Sequence, residues 1–375
     1  MTKLHVLVCT VVHHPEDARI LHRQIRAMLD AGWKVTYAAP FTAYGVAPWP
    51  ELEMVDVPRA SGRQRLGAVR AAREVLRRFR ATVDVVILHD PELLLALPGS
   101  KLECAVIWDV HEDTAAALVA KPWLPRPLRP VVFGAVRFVE YVAERKTRLT
   151  LAETSYRRRF RKVHPIVQNT TYVPAEVRRS EGDRVVYVGH LTAARGVDTM
   201  VEAAKLLRGS GISVEIVGHA DDHAKKVLRE ADAEGILRWH GFLPNSAAME
   251  LLDGALCGWS LLRDLPNYRH SMPTKVLEYM AHGVPVVTTP LPSAVTLVNV
   301  HKSGVVVPFD DASAVAEAVR SLRADEEARI QMGTRGHQAA RTHYHWPDTA
   351  QEFLTRLERW AKHSRSHSCL TLGTD

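Results

Sequence analysis

The stretch "VVYVGHLTAARGVDTMVEAAKLL", residues 185–207, decides the fold. An apolar run ends at Gly189, a short loop follows, and Arg195-Gly196 stands directly before a run whose apolar positions recur at helical spacing. This is the opening of a βαβ unit, and such units build a parallel sheet covered on both faces. Downstream, "SVEIVG", "ILRWHG", "ALCGWSL" and "VPVVTT" read as further strands, with helices beginning near Gly196, Asp221, Asn245 and Pro273. Upstream, "LHVLVCTVV", "KVTYAA", "VDVVILH" and "CAVIWDV" alternate with helical patterns such as "DARILHRQIRAMLDAG", where Ile20, Leu21, Ile25, Met28 and Leu29 share a face.

Two α/β domains in tandem follow from this alternation, and 375 residues suffice for each to bury its own core. The expected boundaries are 1–170 for the first, a polar linker over 171–183, 184–345 for the second, and a C-terminal segment 346–375. That segment holds an amphipathic helix after Pro347, expected to pack back on the first domain, and a frayed tail. Four cysteines, Cys9, Cys104, Cys257 and Cys369, form no close pair, so neither a zinc set nor a disulfide framework is suggested and a cytoplasmic setting fits. The first apolar run is shorter than a signal peptide, and no stretch reaches transmembrane length.

The net charge is +7, and the excess is local: residues 126–162 hold eleven basic side chains against Glu140, Glu144 and Glu153. Such a segment suits phosphates on a nucleotide, on nucleic acid or on an anionic membrane, and equally a solvated helix face. No aromatic platform or nucleic-acid motif accompanies it, so nucleic acid is disfavoured as a partner. Its mixture of apolar residues and cations, "RPVVFGAVRFVEYVAERKTRL", suits peripheral contact with the inner face of a membrane.

In open α/β sheets ligands lie beyond the carboxyl ends of the strands. Six segments occupy such places: "HHPED" (13–17), "HDPE" (89–92), "DVHED" (109–113), "GHLTAARG" (189–196), "GHADD" (218–222) and "RHSMPTK" (269–275). Each contains histidine. No H-E-x-x-H and no D-x-D occurs, which disfavours a metal, and there is neither a P-loop nor a G-x-G-x-x-G after the first strand. Helix N-termini and isolated cations remain to bind phosphate. Arg195-Gly196 precedes one helix; Gly189 and Gly196 also suit an ordinary turn. In "RHSMPTKVLEYMAHG" a second helix starts at Pro273, with amides from Ser271 to Thr274 and the ammonium of Lys275 close by. Glu278 lies about 7 Å further along that helix and can accept from two hydroxyls, as a ribose diol presents them.

These residues resemble the family-4 retaining glycosyltransferases of the GT-B fold. "GHLTAARG" is similar to that family's G-R-L-x-x-x-K-G, and "HSMPTKVLEYMAHGVPVVTT" to its E-x7-E element in an "EAMAxGxPVV" setting. "HHPEDARI", "HDPELL" and "DVHED" resemble first-half elements of one branch. The resemblance implies two Rossmann-like, doubly wound domains facing across a cleft. The second would hold a nucleotide-diphosphate sugar, with UDP favoured and GDP next. The first would hold a glycan, lipid-linked or small-metabolite acceptor. No cofactor is implied.

By the same resemblance, His111 is the catalytic cleft histidine. Arg195, Lys275, Ser271, Thr274 and His190 hold the diphosphate, and Glu278 the ribose. His270, Met272 and Pro273 lie near the donor sugar; His14, Asp17, Arg19, His89, Asp90 and Asp113 lie on the acceptor side, although Asp17 also suits a helix cap. Three departures stand out: His190 replaces an arginine, Arg195 a lysine, and His270 the first glutamate of E-x7-E. The last removes any basis for naming a catalytic nucleophile. A nucleotide-sugar epimerase or hydrolase on the same doubled fold, or a non-catalytic membrane-surface binding protein, remain competing readings.

Overall fold

The computed structural model describes residues 3–371 except 48, 98–102, 112, 120–123, 181, 267 and 270, with backbone only for 116, 117, 119 and 365–371. The chain divides into two compact units: residues 1–169 with 347–375, and residues 170–346.

In the first unit the strands are β1 (His5–Cys9), β2 (Lys34–Ala39), β3 (Glu53–Asp56), β4 (Val85–Leu88), β5 (Ala105–Val110) and β6 (Arg148–Leu151). All pairs are parallel, in the order β3-β2-β1-β4-β5-β6. The second unit repeats the plan with β7 (Arg184–Val188), β8 (Ser213–Val217), β9 (Arg238–Trp239), β10 (Cys257–Ser260), β11 (Val286–Thr288) and β12 (Gly304–Val306), ordered β12-β11-β10-β7-β8-β9. The inner strands are almost wholly buried, as continuous apolar runs require of sheets covered on both faces, while the edge strands β3, β9 and β12 are half-buried or exposed. In each sheet the order reverses between its first and fourth strands, so switch points lie at β1/β4 and β7/β10.

Five helices matter below: α1 (Arg26–Asp30), α2 (Arg129–Lys146), α3 (Val197–Leu207), α4 (Thr274–Ala281) and α5 (Trp346–Thr371). The periodicity predicts an ordinary helix over "DARILHRQIRAMLDAG", but its first turns, Ile20–Ile25, are π-helical before α1 continues. The wider turn lets Arg19 and Gln24, five residues apart, reach one acceptor, as described below. Helix α4 packs through Tyr279 onto β10 at Gly258, where any Cβ would come within 2.5 Å of the tyrosine ring. The Tyr279 hydroxyl donates to Trp259 O at 3.0 Å and accepts from Val188 N at 3.2 Å, so one side chain locks α4 over both strands of the second switch point.

Residues 171–183, expected as a linker, pack within the second unit. Thr171 exchanges backbone hydrogen bonds with Tyr344 and Trp346, Val173 joins the core around Met280, and Arg329 donates to Ser180 O. Most of α5 counts with the first unit, burying Phe353, Leu357 and Ala361, with Trp360 under the guanidinium of Arg148. No helix among the described residues is long and apolar enough to cross a membrane.

Candidate active site

Two groups of side chains gather at the two switch points. In the first unit the organising group is Asp109, at the end of β5 and fully buried. Its Oδ2 accepts from Arg19 Nε at 2.7 Å and Gln24 Nε2 at 2.9 Å; its Oδ1 accepts from Arg19 Nη2 at 2.8 Å and Thr150 Oγ at 2.6 Å. His89 Nδ1 lies 3.3 Å from Oδ2. Burial works to raise this carboxyl, but the guanidinium and the hydrogen bonds outweigh it and hold it well below the ordinary carboxylate value. Arg19 also donates to Asn169 at 2.7 Å and is itself buried, so this expected acceptor-side cation holds the loop together from inside.

Above this base sit three more polar groups. Asp90 Oδ2 accepts from Thr10 Oγ at 2.9 Å and from the amides of Val11 and Val12 at 2.5 and 3.1 Å, leaving Oδ1 3.2 Å from His13 Nε2. The same His13 nitrogen is 2.8 Å from His111 Nε2, and His111 Nδ1 faces the Asp109 carbonyl at 3.2 Å. His111 is pushed down to about 3, chiefly by burial and next by His13, so the ring is neutral at ordinary pH. Asp17 caps the first helix by accepting from the amides of Arg19 and Ile20 at 2.8 and 3.1 Å. Burial works to raise the Asp17 carboxyl too, but His13, His111, Ile20 N–H and His89 together hold it below its usual value.

Not every expected residue joins this group. His14 accepts from Glu16 N at 3.1 Å and stacks edge-on with Tyr44. Asp113 pairs with Arg137 on α2 at 3.2 Å, and Arg137 in turn donates to Glu140. His13 and Asp109, absent from the expected set, are the two residues through which the others connect. His89, Asp109 and His111 present ligand atoms within 4.8 Å of one another. The set does not suit a cation, because both Asp109 oxygens already accept from Arg19, Gln24 and Thr150 and a metal would lie beside a guanidinium.

The second group surrounds Lys275, on the first turn of α4. Its side chain is 7% exposed, and Nζ has no hydrogen-bond partner among the described residues. It lies 3.7 Å from the centre of the Tyr187 ring, in a cation–π contact. Burial, and next the nearby Arg195, depress its pKa well below the ordinary lysine value, with Glu278 acting in the opposite sense. Gly189, at φ 134°, leaves the space above Nζ: a Cβ there would stand 3.4 Å from it.

The Arg195 loop is fixed from both sides. Thr192 accepts the Arg195 amide, and Gly196, at φ 84°, approaches the chain after β10 so closely that a Cβ would meet Leu261 O at 2.1 Å. The Tyr187 hydroxyl, pushed up to about 12 mainly by burial, donates to His190 O at 2.8 Å. His190 itself is exposed, with its pKa lowered by burial and then by Arg195. Pro273 is the N-cap of α4, its carbonyl accepting from Val276 N, and Thr274 is the first helical residue. Met272 packs partly against the core. Ser271 differs from expectation: its amide and hydroxyl both turn back to Tyr268 O at 3.3 Å. His270 lies outside the described residues.

The buried pair at Asp109 can be tested directly. Arg19→Ala leaves a desolvated carboxylate unpaired, and we expect a loss of about 3–5 kcal/mol in urea unfolding at neutral pH. Because the folded-state pKa of Asp109 is depressed, its stabilisation is present above about pH 4 and is lost as pH falls through the lower folded value. The variant's deficit should therefore shrink on acidification; a constant or absent deficit would contradict the assignment.

Comparison with known proteins bears on the fold and the family. Residues 169–339 match the family described as glycosyl transferases group 1. The amylovoran biosynthesis glycosyltransferase AmsK of Erwinia amylovora is 26% identical over 183 residues, covering 48% of this chain and 45% of that one. The chain thus spans less than half the length of that relative. WaaG, a glycosyltransferase involved in lipopolysaccharide biosynthesis, superimposes with a TM-score of 0.67 at 15% identity, covering 94% of this chain and 100% of its own. Anabaena HepE in complex with UDP-glucose gives 0.69 at 11% identity, covering 95% and 100%. The chain therefore has the GT-B fold, and its residues 169–339 are similar to the glycosyl transferases group 1 family.

Proposed function

We propose that this protein is a retaining, metal-independent glycosyltransferase that moves a hexosyl group from a UDP-sugar, or next a GDP-sugar, to a glycan, lipid-linked or small-metabolite acceptor. The observation that carries this reading is Lys275: a buried ammonium without a described hydrogen-bond partner, at the start of a helix and at a sheet switch point. A dianionic diphosphate supplies the missing countercharge. HepE, a neighbour by fold, is described with UDP-glucose bound.

Transfer builds negative charge on the departing diphosphate. Arg195, Lys275 and the first amides of α4 offset it as fixed, preorganised donors, which is the role a metal plays elsewhere. Glu278, one turn further along α4, accepts from the ribose hydroxyls. His111, neutral in its buried setting, hydrogen-bonds a sugar hydroxyl. The doubled fold would also serve an epimerase or hydrolase; nucleotide release that needs an acceptor distinguishes transfer from both.

A peripheral membrane role is a second reading favoured by α2. Val131 and Phe138 lie 67% and 65% exposed on one face of that helix, continued by Leu128 at 50%. Arg145 and Arg161 flank Tyr141 at its end. We propose that this stripe rests on an anionic bilayer, with apolar side chains inserted and arginines at the headgroups.

The donor site predicts proton uptake. The free protein holds Lys275 below its usual pKa and a bound diphosphate raises it, so UDP binds with proton uptake between the two values and weakens as pH rises through that window. Calorimetry in buffers of different ionisation enthalpy reads this directly; Lys275→Met should abolish the buffer dependence, and persistence would remove Lys275 from the site. Glu278→Ala should weaken UDP while leaving inorganic pyrophosphate unaffected, and equal loss of both would refute a ribose contact. For the membrane, sedimentation with phosphatidylglycerol vesicles should show binding that falls with salt and is lost in Val131→Asp/Phe138→Asp; binding unaltered by both would exclude α2.

A further inference from the structure

The two imidazoles at the first switch point share one short contact. His111 Nδ1 faces the Asp109 carbonyl at 3.2 Å, and a carbonyl only accepts, so this nitrogen carries the hydrogen of the neutral ring. His111 Nε2 is then a bare lone pair. It lies 2.8 Å from His13 Nε2, and two nitrogens at that distance share a single hydrogen, which must come from His13. Asp90 Oδ1, 3.2 Å from the same His13 nitrogen, makes no hydrogen bond with it, but its negative charge favours a hydrogen there. Asp90 cannot turn away, because its other oxygen is held by Thr10 and by the amides of Val11 and Val12.

We propose that His13, aligned by Asp90, is a positioning residue that fixes His111 in the tautomer with hydrogen on Nδ1 and Nε2 as acceptor. This deepens the proposed transferase reading of the same site, on which its functional meaning rests. The charged and titratable groups around the pair are Asp17 from the helix start, Asp90 and His89 from the end of β4, and Asp109 with its partner Arg19 from below. None of them supplies a competing donor to His111 Nε2 among the described contacts. His111 consequently receives a hydrogen bond at Nε2: a sugar hydroxyl that displaces His13 donates to it. In this state it does not act as the donor to a leaving oxygen.

Nitrogen-15 NMR of the full chain labelled at histidine, without ligand, tests this, because protonated and bare ring nitrogens resonate far apart. His111→Gln identifies the His111 signals. The wild type should show protonated Nδ1 and bare Nε2 at His111. His13→Phe should shift the ring toward the Nε2–H tautomer, and His13→Gln, whose amide places a donor at the lost nitrogen, should restore the wild-type pattern. Should His13→Phe not fold, His13→Ala carries the same reading. A wild-type ring protonated at Nε2, or an unchanged pattern when the His13 donor is removed, overturns the proposal. The measurement needs no donor or acceptor, so failure of the transferase reading, seen as absent UDP binding, is distinguishable from failure of this one.

Discussion

An ammonium removed from water without a hydrogen-bonding partner carries a desolvation penalty of several kcal/mol, and the second unit is built around one. Among the described residues Lys275 meets the face of Tyr187 and feels the charge of Glu278, with Arg195 opposing it. A desolvated cation–π contact recovers about 2 kcal/mol, less than the several kcal/mol that burying the charge costs. The arrangement becomes favourable when an anion enters. Everything near it keeps that entry open: Gly189 leaves space over Nζ, Gly196 lets the Arg195 loop pack on the chain after β10, and Tyr279 fixes α4 across β7 and β10.

The first unit solves the opposite problem. Asp109 is a buried anion whose partners, Arg19, Gln24 and Thr150, come from the helix after β1 and from β6. Four hydrogen bonds satisfy it fully, and it serves as a floor. Beside it His13, Asp90, His111 and Asp17 are arranged at the strand ends, Asp90 and Asp17 themselves held by backbone amides. Among the described residues the second unit thus holds a buried cation without a hydrogen-bond partner, and the first a buried anion with all its acceptor sites used.

Most strands were legible in the sequence because buried parallel strands are continuous apolar runs, whereas the short edge strands β3, β6 and β12 carry too little apolar sequence to stand out; the helix starts near Asn245 and Pro273 were legible because their cues are local. Arg195 was legible as a cation beside Gly196 at a helix start, and Lys275 as a cation in the first turn after Pro273. The burial of Lys275 was not, since a lysine side chain ordinarily reaches water and only packing against Tyr187 and Gly189 prevents it here. The roles of Asp109 and Arg19 depend on a contact spanning 90 positions, beyond any local pattern. Of the adjacent histidines, His14 was named and His13 missed. Their side chains part at the turn, where the His13 amide donates to Thr10 Oγ, and no spacing rule foretells which one faces inward. The π-helical start escaped for the same reason, since its cause is a carboxylate on β5.

The central claim is that Lys275 awaits a diphosphate, and its most direct test is a crystal structure of the full chain grown with UDP. The account predicts diphosphate oxygens within hydrogen-bond distance of Lys275 Nζ and Arg195, with the ribose hydroxyls on Glu278. Nucleotide bound elsewhere, with Lys275 still unpartnered beneath Gly189, would contradict it.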